Sequence, residues 1–111
     1  MHNIINLVTD AAKGKPIALR SPQWTSVRKK HLLKEPLCRA CNGKDKLQVH
    51  HIKPFHLFPE LELVSSNLLT LCEYMDNDCH LRIGHNGNFK NYNKSVLSDI
   101  KKYRIEHLLL S

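Results

Sequence analysis

The sequence predicts an α+β domain in which two short strands are flanked by helices. Residues 47–52, Leu-Gln-Val-His-His-Ile, have strand character, and Leu68 to Leu71 read as a short returning strand. On either side, Trp24, Val27, His31 and Leu32 recur at helical spacing, as do Val96, Ile100, Tyr103, His107 and Leu108. The 111 residues argue for one domain. A chain of this length buries roughly two-thirds of the surface it exposes when unfolded. Its apolar core is therefore modest, and a bound metal would add useful stability.

The elements follow in order. Residues 1–20 are an N-terminal segment in which Ile4, Ile5, Val8, Ala11 and Ala12 fit a short helix ended by Gly14 and Pro16. The domain proper spans 21–111. Ser21-Pro22 reads as an N-cap followed by proline at the first helical position, with Trp24 as a core anchor. Arg28, Lys29, Lys30 and Lys34 give this helix a basic side, and Pro36 stops it just before Cys38. Leu47 and Val49 share one strand face, and Pro54 ends the strand. Residues 53–66 read as a loop, 79–84 as a short helix, and Asn86-Gly87-Asn88 as a turn. Ser95 is placed as the N-cap of the last helix. There is no internal repeat, no low-complexity tract and no linker dividing the chain.

Composition narrows the function classes. Hydrophobic residues make up 41% and charged residues 24%, an ordinary globular balance. Apolar runs last only a few residues, so nothing in the sequence spans a membrane. Met1-His2-Asn3-Ile4-Ile5-Asn6 lacks the basic start and apolar stretch of a secretory signal, so a cytoplasmic location with reduced thiols is expected. Seventeen Lys and Arg against ten Asp and Glu leave a formal charge of +7, which points to a polyanionic partner. Four thiolates around one dication would lower that charge by two, and the chain would stay basic.

The four cysteines fall in two pairs. Cys38-Arg39-Ala40-Cys41, with Gly43 two residues on, has the form of a tight turn presenting two thiolates to one ion. A redox C-x-x-C is the competing reading, but no thioredoxin-like βαβ unit surrounds it. Cys72 and Cys79 are separated by six residues, which must loop out for both sulfurs to face one metal. Zinc takes four thiolates tetrahedrally, and such a closed site is structural. The expectation is a structural Zn²⁺ on Cys38, Cys41, Cys72 and Cys79.

Of eight histidines, His2, His31, His56 and His107 are scattered and read as surface or packing residues. The others cluster: His50-His51 before Ile52-Lys53-Pro54, and Cys79-His80 with His85 after Asn67-Leu68-Leu69-Thr70-Leu71-Cys72. This order resembles an HNH endonuclease, with His51, Asn67 and His80 at the three signature positions. The surrounding cysteine pairs resemble the zinc-containing branch of that family. The longer pattern is similar to a small stand-alone bacterial and phage group, over about residues 21–95.

The resemblance implies a ββα-metal (His-Me finger) core and hydrolysis of DNA phosphodiesters to 5′-phosphate and 3′-hydroxyl ends. It implies His51 as general base, Asn67 as the residue that pins the loop, and His50 and His80 as ligands of one catalytic divalent ion. His85 resembles a further ligand or phosphate contact. A histidine at the place of His50 is similar to the nuclease domains of DNase colicins, which have three residues between their last two histidines where four lie between His80 and His85. On an unbroken α-helix, positions five apart lie about 140° from one another, so Gly84 is expected to break the helix. Consecutive strand residues face opposite ways, so a bulge or a strand end is expected at His50–His51. A flat strand with opposed imidazoles would count against the site.

A histidine of ordinary pKa suits a base at neutral pH. Imidazole ligands favour zinc, nickel, cobalt or copper, whereas the family commonly uses magnesium or manganese, so broad tolerance among Mg²⁺, Mn²⁺, Ni²⁺ and Zn²⁺ is expected. DNA is the expected partner, contacted by basic residues of the 28–34 helix and near 101–104. Phe89, Lys90 and Tyr92 are further candidates for packing or phosphate contact. Two alternatives stay open: a non-catalytic zinc-containing nucleic-acid-binding module, and an accessory subunit of a phage packaging motor (a terminase partner) or of a restriction system.

Overall fold

Among the described residues, two antiparallel strand pairs and two α-helices make up the framework. The structure, a computed structural model, describes residues 7–10, 15–74 and 77–109. Strands β1 (Leu7–Asp10) and β2 (Lys15–Ala18) pair with Leu7 opposite Ala18 and Asp10 opposite Lys15. The short helix expected here is therefore replaced by a strand at Leu7–Asp10; the rest of that expectation lies outside the described residues. The β-branched Val8, Thr9 and Ile17 favour extended backbone. Pro16 is tolerated because both strands of a two-stranded sheet are edges.

Helix α1 (Trp24–Lys34) starts two residues later than Ser21-Pro22 suggests. Ser21 Oγ instead accepts from Gln23 N (3.1 Å), and Trp24 N donates to Ser21 O (3.1 Å), so the serine caps a turn that leads into the helix. Glu35 closes α1 before Pro36. Strands β3 (Leu47–His51) and β4 (Leu68–Cys72) pair from Leu47 opposite Cys72 to His51 opposite Leu68. All five residues of β4 are buried, as its nearly continuous apolar run demands. Thr70 is its one polar side chain, and it is satisfied: Oγ1 donates to Glu35 O (2.9 Å) and its backbone N donates to Glu35 Oε1 (2.8 Å). Arg39 N donates to Thr70 O (2.9 Å), so residues 35–39 cover the free edge of β4.

Two short 3₁₀ turns, Pro59–Leu61 and Ser65–Asn67, shape the long loop between β3 and β4. After β4, His80–Gly84 is wound as a single π-turn. Asn86 (φ 52°) and Gly87 (φ 84°) then reverse the chain, matching the turn signal in the sequence. Helix α2 (Val96–Arg104) continues through a π-wound turn, Ile105–Leu109. Ser95 stands at its N-cap without a side-chain capping bond; Asn93 Oδ1 accepts from Ser95 N instead (2.9 Å).

The core contains Cys38, Ala40, Leu69, Leu71, Cys72, Cys79, Val96 and Ile100. Three of these eight are cysteines, so the thiols lie inside the core. Trp24 is not in it: the ring is half-buried against His51 and Arg20, which corrects its reading as a core anchor. No helix of the described residues is long and apolar enough to cross a membrane.

Candidate functional site

The fold builds two groups of metal-competent side chains. The first joins Cys38 and Cys41, on the turn after α1, to Cys72 at the end of β4 and Cys79 before the π-turn. One ligand atom from each lies within 4.8 Å of the others, and all four thiols are free. Cys41 Sγ and Cys72 Sγ are 3.7 Å apart. Zinc–sulfur bonds of about 2.3 Å in a tetrahedron set sulfurs about 3.8 Å apart, so this spacing fits one ion.

Local backbone explains the convergence. Cys38 N donates to Gly43 O (2.8 Å) and Asn42 N to Cys38 O (2.9 Å), while Asn42 takes a left-handed φ of 64°. Gly43 N donates to Cys41 Sγ (3.3 Å), a bond suited to a thiolate. The wide spacing between Cys72 and Cys79 is absorbed by a bridge between Tyr74 and Asn77, with Cys79 N donating to Asn77 O (3.0 Å). Cys72 Sγ donates to Asn77 O (2.8 Å), a bond only the thiol makes; ligation would exchange that proton for an ion. A hydrogen bond from Cys79 lowers the Cys38 thiol to about 5, and burial pushes Cys41 up to about 11. The shared hydrogen bond with Cys38, and then burial, push Cys79 up as well. These four residues could hold a metal ion.

The second group is His50, His80 and His85, whose ligand atoms also lie within 4.8 Å of one another. The ring centroids are 5.1 Å apart for His50–His80, 4.7 Å for His50–His85 and 4.8 Å for His80–His85. His80 Nδ1 is 2.7 Å from Glu73 Oε2, and His85 Nδ1 donates to Asn91 O (2.9 Å). Both partners accept at Nδ1 and leave Nε2 as the ligand atom, as outer-shell acceptors do around metal-binding histidines. Burial, with His80 and His85 close by, pushes His50 down to about 3, and burial also lowers His85. Three imidazoles meeting in this way suit a cation.

The π-turn resolves the spacing between His80 and His85. A turn closed by i→i+5 bonds brings residues five apart closer to one face than an α-helix would, and His85 follows it in a non-helical conformation. Gly84 ends that turn, and a Cβ there would stand 3.1 Å from Leu71 Cδ1, 3.3 Å from His80 Cδ2 and 3.4 Å from His50 Cε1. Gly84→Ala is therefore expected to cost about 1–3 kcal/mol by overpacking, and to weaken Ni²⁺ binding at the histidines about tenfold or more. Calorimetric titration of Ni²⁺ into the zinc-loaded variant checks this. Unchanged affinity would show that the turn does not set the imidazole spacing.

His51 lies beside this group but has different neighbours. Its Nε2 is 2.9 Å from Glu62 O, and a carbonyl can only accept, so Nε2 carries the proton and Nδ1 keeps its lone pair. Trp24 packs on the ring at 4.6 Å. Burial lowers the His51 pKa, and the Glu62 carbonyl offsets part of that shift. Asn67 is buried and pins the loop after β3: its Oδ1 accepts from Lys53 N (2.8 Å), and its Nδ2 donates to Lys53 O (3.1 Å) and Leu61 O (3.2 Å).

The ladder runs unbroken through His50 and His51, so the expected bulge is absent; the regular pairing with Leu69 and Leu68 leaves no extra residue. The alternative, a strand end, is what occurs, since His51 is the last residue of β3. Both rings line one cleft of about 380 Å³ together with His80 and His85. His56 borders the same cleft and is exposed. Three participants carried no sequence signal. Glu73 orients His80, Glu62 orients His51, and Arg20 reaches the cleft from the segment before α1. Compared with models of known families, with curated proteins and with solved structures, the chain matches none.

Proposed function

We propose that this chain is a metal-dependent endonuclease of the HNH type, with a ββα-metal core formed by β3, β4 and the π-turn, and that it hydrolyses DNA phosphodiesters. One observation carries the reading: a single cleft holds a histidine of fixed tautomer next to three convergent imidazoles. A binding module has no use for a base oriented in this way.

The donor sets fit the ions assigned to them. Four convergent thiols, three of them buried and Cys41 partly so, suit a structural zinc. His50, His80 and His85 would hold one divalent cation and leave coordination positions open to substrate. When bound, that cation supplies positive charge to offset charge on the phosphate and the leaving oxygen. His51 Nδ1 takes a proton from the attacking water, and the Glu62 carbonyl stabilises the resulting imidazolium through Nε2–H. The water oxygen bonds to phosphorus as the bond to the 3′ oxygen breaks, and the departing oxygen takes a proton from solvent, leaving a 5′-phosphate and a 3′-hydroxyl. Asn67 keeps the loop carrying Lys53 in place, and with it the end of β3. The +7 charge, with Lys29, Lys30, Lys101 and Lys102 exposed on the two helices, supplies sequence-independent attraction to the DNA backbone.

The test is incubation of supercoiled plasmid with the zinc-loaded protein and added Mg²⁺, Mn²⁺, Ni²⁺ or Zn²⁺. Nicked or linear product with at least one ion, and none in chelator, is expected. Absence of cleavage with every ion would favour the non-catalytic nucleic-acid-binding module.

A further inference from the structure

Arg20 lies ahead of α1, outside the elements that supply the histidines, yet it lines the same cleft as His50, His51, His80 and His85. Its placement is over-determined. Arg20 Nε donates to Glu62 Oε2 (2.7 Å), and the buried Glu62 carboxylate also accepts from Ser21 N (3.0 Å). The guanidinium carbon lies over the Phe55 ring at 4.6 Å and the Trp24 ring at 5.1 Å. Trp24 in turn packs on His51, and the Glu62 carbonyl accepts from His51 Nε2. His51, Trp24, Arg20 and Glu62 thus close a circuit in which the proposed base and the arginine are fixed by the same two residues.

The Arg20 side chain is 47% exposed while its partner Glu62 is 5% exposed, so the carboxylate is sealed in and the guanidinium stays open to the cleft. Glu62 engages Nε, so among the described residues the Nη1 and Nη2 donors are left for a ligand. A planar guanidinium matches two phosphate oxygens.

We propose that Arg20 is a substrate-contacting residue that binds non-bridging oxygens of the phosphate attacked by the water on His51, and that Glu62 is its positioning residue through the carboxylate. This rests on the nuclease reading. The arginine would stabilise the charge that develops on those oxygens, an effect worth about 10²–10³ in kcat per well-placed donor.

The experiment uses the zinc-loaded full chain, with its activating divalent ion, on plasmid and on bis(4-nitrophenyl) phosphate, a small diester with one phosphate. Arg20→Gln is expected to lower kcat about 10²–10³-fold on both substrates, with the thermal midpoint little changed. Guanidinium ion added to Arg20→Ala should restore part of the rate, which a scaffolding role would not allow. Glu62→Gln keeps the backbone carbonyl on His51 but weakens the grip on Arg20. It should lower kcat about tenfold alone and add little to Arg20→Gln, since the two act through one contact.

Wild-type rates in Arg20→Gln would overturn this proposal and leave the nuclease reading standing. So would a loss confined to plasmid, which would place Arg20 on a distant phosphate. A loss that follows unfolding and resists guanidinium would make Arg20 a scaffold residue and overturn it likewise. An inactive wild-type chain would remove both readings together.

Discussion

Replacing His51 with alanine is expected to slow plasmid cleavage by about 10²–10⁴-fold, the range for loss of a positioned general base, while both metal groups keep their ligands. The ring is no ligand in this arrangement: its Nε2 is committed to Glu62 O, and its contact is with Trp24 rather than with His80 or His85. Metal binding should therefore survive the substitution. Kinetics on plasmid and a Ni²⁺ titration, run on the same preparation, separate the two roles. Equal cleavage by His51→Ala and wild type would remove the base assignment.

The same residue sets the expected pH dependence. Burial holds His51 below its ordinary pKa, so Nδ1 stays unprotonated at pH values where an exposed histidine would already be charged. In the proposed mechanism the base acts in its neutral form. The acid limb of the wild-type rate profile should lie below about 6.5, the ordinary histidine value. An acid limb above that value would contradict a buried, neutral base.

The second large effect concerns the thiols. Because Cys38, Cys72 and Cys79 are core residues, losing the ion leaves buried sulfur and charge in place of a cross-link. Structural zinc contributes about 10–16 kcal/mol of apparent binding energy in small zinc domains, as large as the roughly 5–15 kcal/mol that holds a domain folded. If the thiols hold zinc as proposed, Cys72→Ser is expected to be unfolded at 25 °C by circular dichroism and to lose it. Elemental analysis checks the metal. A wild-type chain that is folded and carries no tight zinc would remove the structural site. Chelators should strip the histidine ion first, since three imidazoles hold a cation less tightly than four thiolates.

What the sequence made legible follows from which interactions are local. Alternation and turn chemistry place β3 and β4 within a residue of their observed bounds, and the cysteine and histidine spacings pick out seven side chains that the structure gathers into two groups. The N-terminal strands were not legible, because Val8, Ala11 and Ala12 satisfy a helical spacing as readily as an extended one. The start of α1 was misplaced by two residues because a Ser-Pro pair caps an isolated turn as well as a helix. The π-turn left no mark beyond a spacing one residue too long. Arg20 and Glu62 are 42 residues apart, and no local pattern links them. The carboxylate and carbonyl that orient His80 and His51 were hidden for the same reason: Glu73 and Glu62 act through tertiary contacts.

The central claim is that His50, His80 and His85 hold the ion that cleavage needs. It is tested most directly by measuring plasmid cleavage against divalent-ion concentration for the zinc-loaded wild type and for His80→Ala. The account predicts a saturating rise from no cleavage in the wild type, and a curve displaced to much higher concentration or abolished in the variant. Superimposable curves, or cleavage that persists in chelator, would contradict it.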